Sequence, residues 1–91
     1  MMTPYHEALQ TCGERYRDIL SYPHPDTNDP LWQFTMEFLA GCRAGMPLCK
    51  LNRWLGYIQG VLIERKYTTV QAERDWTRPL FRPLDYQEGI A

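Results

Sequence analysis

The sequence predicts an all-α protein: a small bundle of three main helices, a short fourth helix and an extended C-terminal strap. Three observations carry that reading. Apolar residues recur at steps of three and four over three long stretches. Each stretch opens on a capping residue or a proline, and prolines crowd the C-terminal end. The length of 91 residues fits one helical domain, residues 1–91, with no room for a second core.

The first helix follows from Thr3 as a cap, Pro4 at the first helical position and Glu7 in the first turn. Tyr5, Ala8, Leu9, Cys12, Tyr16, Ile19 and Leu20 then mark one face over four turns. Gly13 inside it costs about 1 kcal/mol relative to alanine and marks a point of close approach. Tyr22-Pro23-His24-Pro25 ends the helix, and Asp26-Thr27-Asn28-Asp29 turns the chain. His24 reads as a solvated loop histidine.

Asp29-Pro30 opens the second helix with a cap and a first-turn proline. Its apolar residues, Leu31, Trp32, Phe34, Met36, Phe38, Leu39, Ala40 and Cys42, cover more than half its circumference. Such a helix is either central in the bundle or meets a partner subunit, and Trp32 is the interface candidate. Gly45 and then Pro47 close it. The third helix runs from about Pro47 to Lys66 on a stripe of Leu48, Leu51, Leu55, Ile58 and Leu62. Gly56 and Gly60 stack on one face with Asn52. They allow close packing within the chain, the favoured reading, or against another subunit.

Thr68 or Thr69 caps the short fourth helix, Val70 to about Trp76, with Gln71 completing a capping box if Thr68 is the cap. Glu73, Arg74 and Asp75 make one side of it polar, and Pro79 stops it. Arg-Pro-Leu then occurs twice, at Arg78 and Arg82, with Leu80, Phe81, Leu84 and Tyr86 too apolar to be left free. This tail reads as an extended strap over the helices or across a neighbouring subunit, with Phe81 at the contact. Only the last few residues read as disordered.

Composition excludes several classes. No apolar run is long enough to cross a membrane, and the first residues lack the basic flank and apolar run of a signal peptide. Cytoplasmic residence is therefore expected. Cys12, Cys42 and Cys49 show no paired spacing, so small buried hydrophobes are expected rather than a disulfide framework or a metal site. Catalytic chemistry is poorly served. Ser21 is the single serine, the two histidines are badly placed, and no nucleophile elbow, phosphate loop or cofactor fingerprint is present. No enzyme activity and no cofactor are expected.

Charge gives the positive signal. The net charge is −1, yet residues 1–45 hold three arginines against six acids while residues 46–91 hold seven basic residues against five acids. Eight arginines stand against two lysines, and aromatics are interleaved with the basic residues between Lys50 and Arg82. Guanidinium groups fork onto phosphate oxygens and aromatic rings stack on bases. The candidate ligand surface is therefore Asn52, Arg53, Tyr57, Arg74, Arg78 and Arg82. The competing reading is structural: Arg74 pairs with nearby acids, and Trp54 and Trp76 belong to a core. No helix shows the basic stripe of a duplex-DNA reader.

The block Asn52-Arg53-Trp54-Leu55-Gly56-Tyr57-Ile58-Gln59-Gly60, followed by Thr69 and Arg74 in T-x-x-x-x-R spacing, resembles small accessory proteins of tailed bacteriophages. The likeness spans residues 46–84. It implies a setting, the cytoplasm of an infected bacterial host, and no role for any particular residue. Small phage proteins without enzyme motifs often antagonise host defence, by occupying a host protein or by sequestering a nucleotide signal. The expected function is thus a non-enzymatic binding factor and homo-oligomer, whose partner is a host protein or a small anionic nucleotide-like ligand. An assembly protein that uses the apolar second helix and strap for subunit contacts is the alternative, with a single-stranded nucleic-acid-binding module as a third possibility.

Overall fold

The computed structural model describes residues 2–87, with side chains through Leu84. It contains four helices and, among the described residues, no strand: α1 (Pro4–Ser21), α2 (Pro30–Arg43), α3 (Leu48–Glu64) and α4 (Val70–Gln87). The all-helical class stands. The expectations for the Tyr86 side chain and for the last few residues lie outside the described part.

Local signals set the helix starts. Thr3 caps α1 by accepting from the His6 amide, and His6 returns the interaction by accepting the Thr3 N–H at Nδ1, 3.1 Å away. With Nδ1 accepting, the His6 proton sits on Nε2 and donates to the Met46 carbonyl at 2.7 Å. A histidine that reads as unplaced in sequence thus closes a capping box and ties α1 to the α2–α3 turn. Asp29 caps α2 by accepting from the Leu31 amide. Gly45 ends it in the left-handed region at φ 71°, with Gly45 and Met46 donating back to Cys42 and Gly41. Lys66 ends α3 in the same way at φ 65°, a conformation that disfavours a side chain.

The helices run antiparallel in sequence order. Gly13 meets Phe38 and Leu39 while His6 meets Met46, which sets α1 against α2. Phe34 meets Tyr57 while Asp29 meets Arg65, which sets α2 against α3. Arg15 meets Glu73 while Tyr5 meets Phe81, which sets α1 against α4. The core contains Leu9, Cys12, Tyr16, Phe38, Leu51, Ile58 and Leu62. Burial pushes the Cys12 thiol up to about 12 and the Cys42 thiol up to about 11, so both are inert apolar fillers. Among the described residues no helix is long and apolar enough to cross a membrane.

Four expectations need correction. The fourth helix is not short, and the strap is not extended: α4 continues through Pro79 and Pro83 to Gln87. Of the two candidate caps it is Thr69 that serves, its hydroxyl accepting from the Ala72 amide, while Thr68 donates to Glu73. The helix that packs against all three others is α1, whereas α2 packs mainly on α1 and α3. Cys49 is exposed rather than buried.

The prolines are tolerated because of where they fall on the helix. At 3.6 residues per turn, Glu73, Trp76, Leu80 and Leu84 share the inward face of α4, while Pro79 and Pro83 are exposed on one flank. Each proline removes one helical N–H donor and costs about 3 kcal/mol in isolation. Packing of Trp76, Leu80 and Phe81 against the core offsets that cost.

The glycines divide sharply. A Cβ built at Gly13 lies 2.7 Å from Leu39 Cδ2 and 3.0 Å from Phe38 Cδ2, both on fully buried side chains. Gly13 is the close contact that the sequence marks. A Cβ built at Gly56 or Gly60 meets nothing within 4 Å, so the favoured reading of close packing within the chain fails for them. Replacing Gly13 with Ala is expected to destabilise by about 1–2 kcal/mol, because overpacking outweighs helix propensity. Replacing Gly56 with Ala is expected to stabilise by about 0.5–1 kcal/mol, since the propensity gain is unopposed. Thermal unfolding of the two variants checks the opposite signs.

Candidate functional site

The six candidate ligand residues fall in different places. Arg53 and Tyr57 project from α3 into a cleft beside α2, together with Phe34, Glu37, Lys50 and Trp54. Arg74, Arg78 and Arg82 line a separate depression of about 340 Å³ on α4, with Thr77 and Phe81. Asn52 lines neither and is exposed on α3. Of the interface candidates, Trp32 is half-buried, and Phe81 packs at 5.1 Å ring separation on Tyr5. Gly56 and Gly60 are open to solvent.

The α4 depression depends on a buried polar cluster beside it. Glu73 is only 4% exposed. Its Oε1 accepts from the Tyr16 hydroxyl at 2.6 Å, and its Oε2 accepts from Thr68 Oγ1 at 2.6 Å and from Arg15 Nη2 at 3.0 Å. Tyr16 in turn accepts from Gln59 Nε2 at 2.8 Å. The Arg15 guanidinium lies 4.8 Å from the centre of the Trp76 ring, which completes its packing. One carboxylate therefore joins α1, the linker into α4 and, through Tyr16, α3. Sequence reading placed Glu73 on a polar side of the fourth helix, whereas the structure turns it inward.

With Glu73 and the inward apolar residues docked, Arg74, Arg78 and Arg82 fall together on the outer side of α4 at four-residue spacing, away from the proline flank. Successive arginines are about 6 Å apart along the helix axis at 1.5 Å per residue. None of the three forms an ion pair with another described residue. The pairing of Arg74 with nearby acids expected on the structural reading does not occur: Asp75 instead accepts from Gln71, and Glu73 is taken by Arg15. Arg65, counted with the basic group in sequence, is held by Asp29 through two hydrogen bonds of 2.7 and 3.0 Å. The expectation that no helix carries a basic stripe therefore needs correction: the four-residue spacing is present in the sequence, but it becomes one surface only because the helix passes Pro79.

Comparison with protein families, curated proteins and solved structures found no match. The site is therefore interpreted from its own chemistry. Arginine keeps its proton throughout the accessible pH range, and Thr77 spends its hydroxyl proton on the Glu73 carbonyl at 2.7 Å. The depression thus offers three positive forks and an aromatic ring.

Two carboxylates link this architecture to pH. Burial by itself raises the Glu73 carboxyl, but hydrogen bonds from Thr68, Tyr16 and Arg15 outweigh it and hold the group below its ordinary value of 4.5. Arg65 holds Asp29 below its ordinary 3.8. A carboxyl with a depressed folded pKa binds fewer protons when folded, so its stabilisation is complete above the unfolded value and is lost as pH falls through the folded one. Folding stability is therefore expected to decline with acidification below 4.5 and 3.8. Glu73→Gln is expected to cost about 2–4 kcal/mol at neutral pH by removing charge-assisted hydrogen bonds, and to flatten the acid slope. Denaturant unfolding across pH for both proteins measures the two effects together.

Proposed function

We propose that the protein is a non-enzymatic binding factor whose α4 arginine stripe receives a phosphate-bearing, nucleotide-like ligand. The observation that supports this reading is the stripe itself: Arg74, Arg78 and Arg82 line one depression, and no described acid neutralises them. Like charges four residues apart on a helix repel, so the bare stripe carries a cost that a bound polyanion removes. Guanidinium forks match the paired oxygens of an oxyanion rather than a simple halide, and three of them in line favour a ligand with several negative charges, as a nucleotide phosphate chain has. Phe81 lies at the edge of the same depression and presents apolar surface to a base or sugar.

The setting we propose is phage infection, where such a factor antagonises host defence by sequestering a nucleotide signal or by blocking a host protein. That setting rests on the resemblance of the Asn52–Gly60 block to phage accessory proteins. Assembly through subunit contacts is the second reading. It draws on the open α3 face, where Asn52, Gly56 and Gly60 are all exposed. Light scattering at high protein concentration tests subunit contacts in either reading: a strict monomer excludes the assembly role and the homo-oligomeric form of the binding factor.

Titration calorimetry against a panel of linear and cyclic nucleotides tests the ligand assignment. Arg74→Ala or Arg78→Ala is expected to weaken nucleotide binding by about 10–100-fold, the worth of one charged hydrogen-bonding partner. Helix content by circular dichroism is expected to stay unchanged, because both side chains are exposed. Unchanged affinity in both variants would overturn the assignment.

A further inference from the structure

A second surface is built from different chemistry. The cleft between α2 and α3 has a volume of about 530 Å³. It continues into a neighbouring depression of about 360 Å³, because Phe34 and Tyr57 line both. The second depression adds Pro30, Leu31, Val61 and Arg65. Together they form one groove that follows α3 from Lys50 to Arg65, about 22 Å at 1.5 Å per residue.

The floor is apolar and rigid. Phe34 packs at 5.0 Å ring separation on both Trp54 and Tyr57, and Trp54 packs in turn on the fully buried Phe38. Tyr57 nevertheless remains 59% exposed, a large aromatic surface left in water at the centre of the groove. The rim is charged unevenly. Arg65 is neutralised by Asp29 at one end. Lys50 and Arg53 at the other end form no ion pair with a described residue, and Glu37 is the single acid that faces them in the cleft.

We infer that this groove receives an amphipathic helix of another protein, with acidic residues flanking its apolar face on the Lys50 and Arg53 side. Two antiparallel helices with an apolar furrow between them accept a third helix through contacts at i, i+3 or i+4, and i+7. The groove length matches about four turns of such a helix. Charge complementarity fixes the flanks: acids opposite Lys50 and Arg53, and a neutral or basic residue opposite Glu37. A nucleotide is a poor fit, because the lining is mostly carbon. A second copy of this chain is also a poor fit. Among the described residues the exposed large apolar side chains are Tyr22, Met36, Tyr57, Tyr67 and Val70, which form no continuous helix face to insert.

The test is selection of helix-forming peptides of about sixteen residues, with all exposed positions randomised, against the full chain. Enriched peptides are expected to carry apolar residues at helical spacing with aspartate or glutamate along one flank. Their affinity is expected to fall at least tenfold against Tyr57→Ala and against the double variant Lys50→Glu, Arg53→Glu, whose native side chains are exposed and whose folding is checked by circular dichroism. Exchanging the acidic flank for lysine is expected to abolish binding to the native chain and restore it to the double variant. Arg78→Ala, on the other surface, is expected to leave peptide affinity unchanged. Failure to enrich any helix, enrichment without an acidic flank, or affinity insensitive to the double variant overturns the inference. So does competition by the chain itself, which would make a second copy the occupant.

Discussion

The structure depends on the placement of one carboxylate. Taking Glu73 out of water is unfavourable unless its oxygens are matched by donors, and Arg15, Tyr16 and Thr68 supply them from two other segments of the chain. Tyr16 is itself fully buried and needs both of its polar contacts, one to Glu73 and one from Gln59. Such a cluster fixes orientation more than it adds net stability, because apolar contacts alone tolerate sliding. Here it sets the rotation of α4 about its own axis, and that rotation decides which residues of α4 face out.

The consequence is a sorting of charge that composition conceals. Arg15 is spent on the buried Glu73, and Arg65 is spent on Asp29 at the surface. Arg74, Arg78 and Arg82 are left together on the outer flank of α4, and Lys50 and Arg53 are left together at the end of the α2–α3 groove. The basic C-terminal half is therefore two surfaces with different surroundings. One is polar and lined by three guanidinium groups, which suits phosphate. The other is an aromatic furrow with a basic rim, which suits an amphipathic helix.

Much of the fold is legible from sequence, and the failures share a cause. Thr3, Asp29 and Gly45 work locally, through caps that need only their near neighbours, and the steps of three and four in α1 to α3 are dense enough to fix helices. Gly13 is legible as a close contact because an internal glycine in a strong helix demands a reason. Pro79 and Pro83 mislead because their local cost is offset by packing of Trp76, Leu80 and Phe81, which only the tertiary structure supplies. Glu73 misleads similarly: its partners Arg15 and Tyr16 lie 58 and 57 positions away. The candidate site residues are named one by one from the sequence, but placing Arg74, Arg78 and Arg82 on one α4 surface, Arg53 and Tyr57 in the α2–α3 groove and Asn52 in neither requires the tertiary structure.

The central claim is that a single docked helix presents Arg74, Arg78 and Arg82 as one anion-binding surface. Side-chain Nε–Hε resonances of the eight arginines, followed by NMR during titration with pyrophosphate, test it most directly. The account predicts that the signals of Arg74, Arg78 and Arg82 shift together and saturate with one constant, while those of Arg15 and Arg65, held by carboxylates, stay in place. Shifts spread evenly over all eight arginines, or three different constants within the stripe, would contradict it.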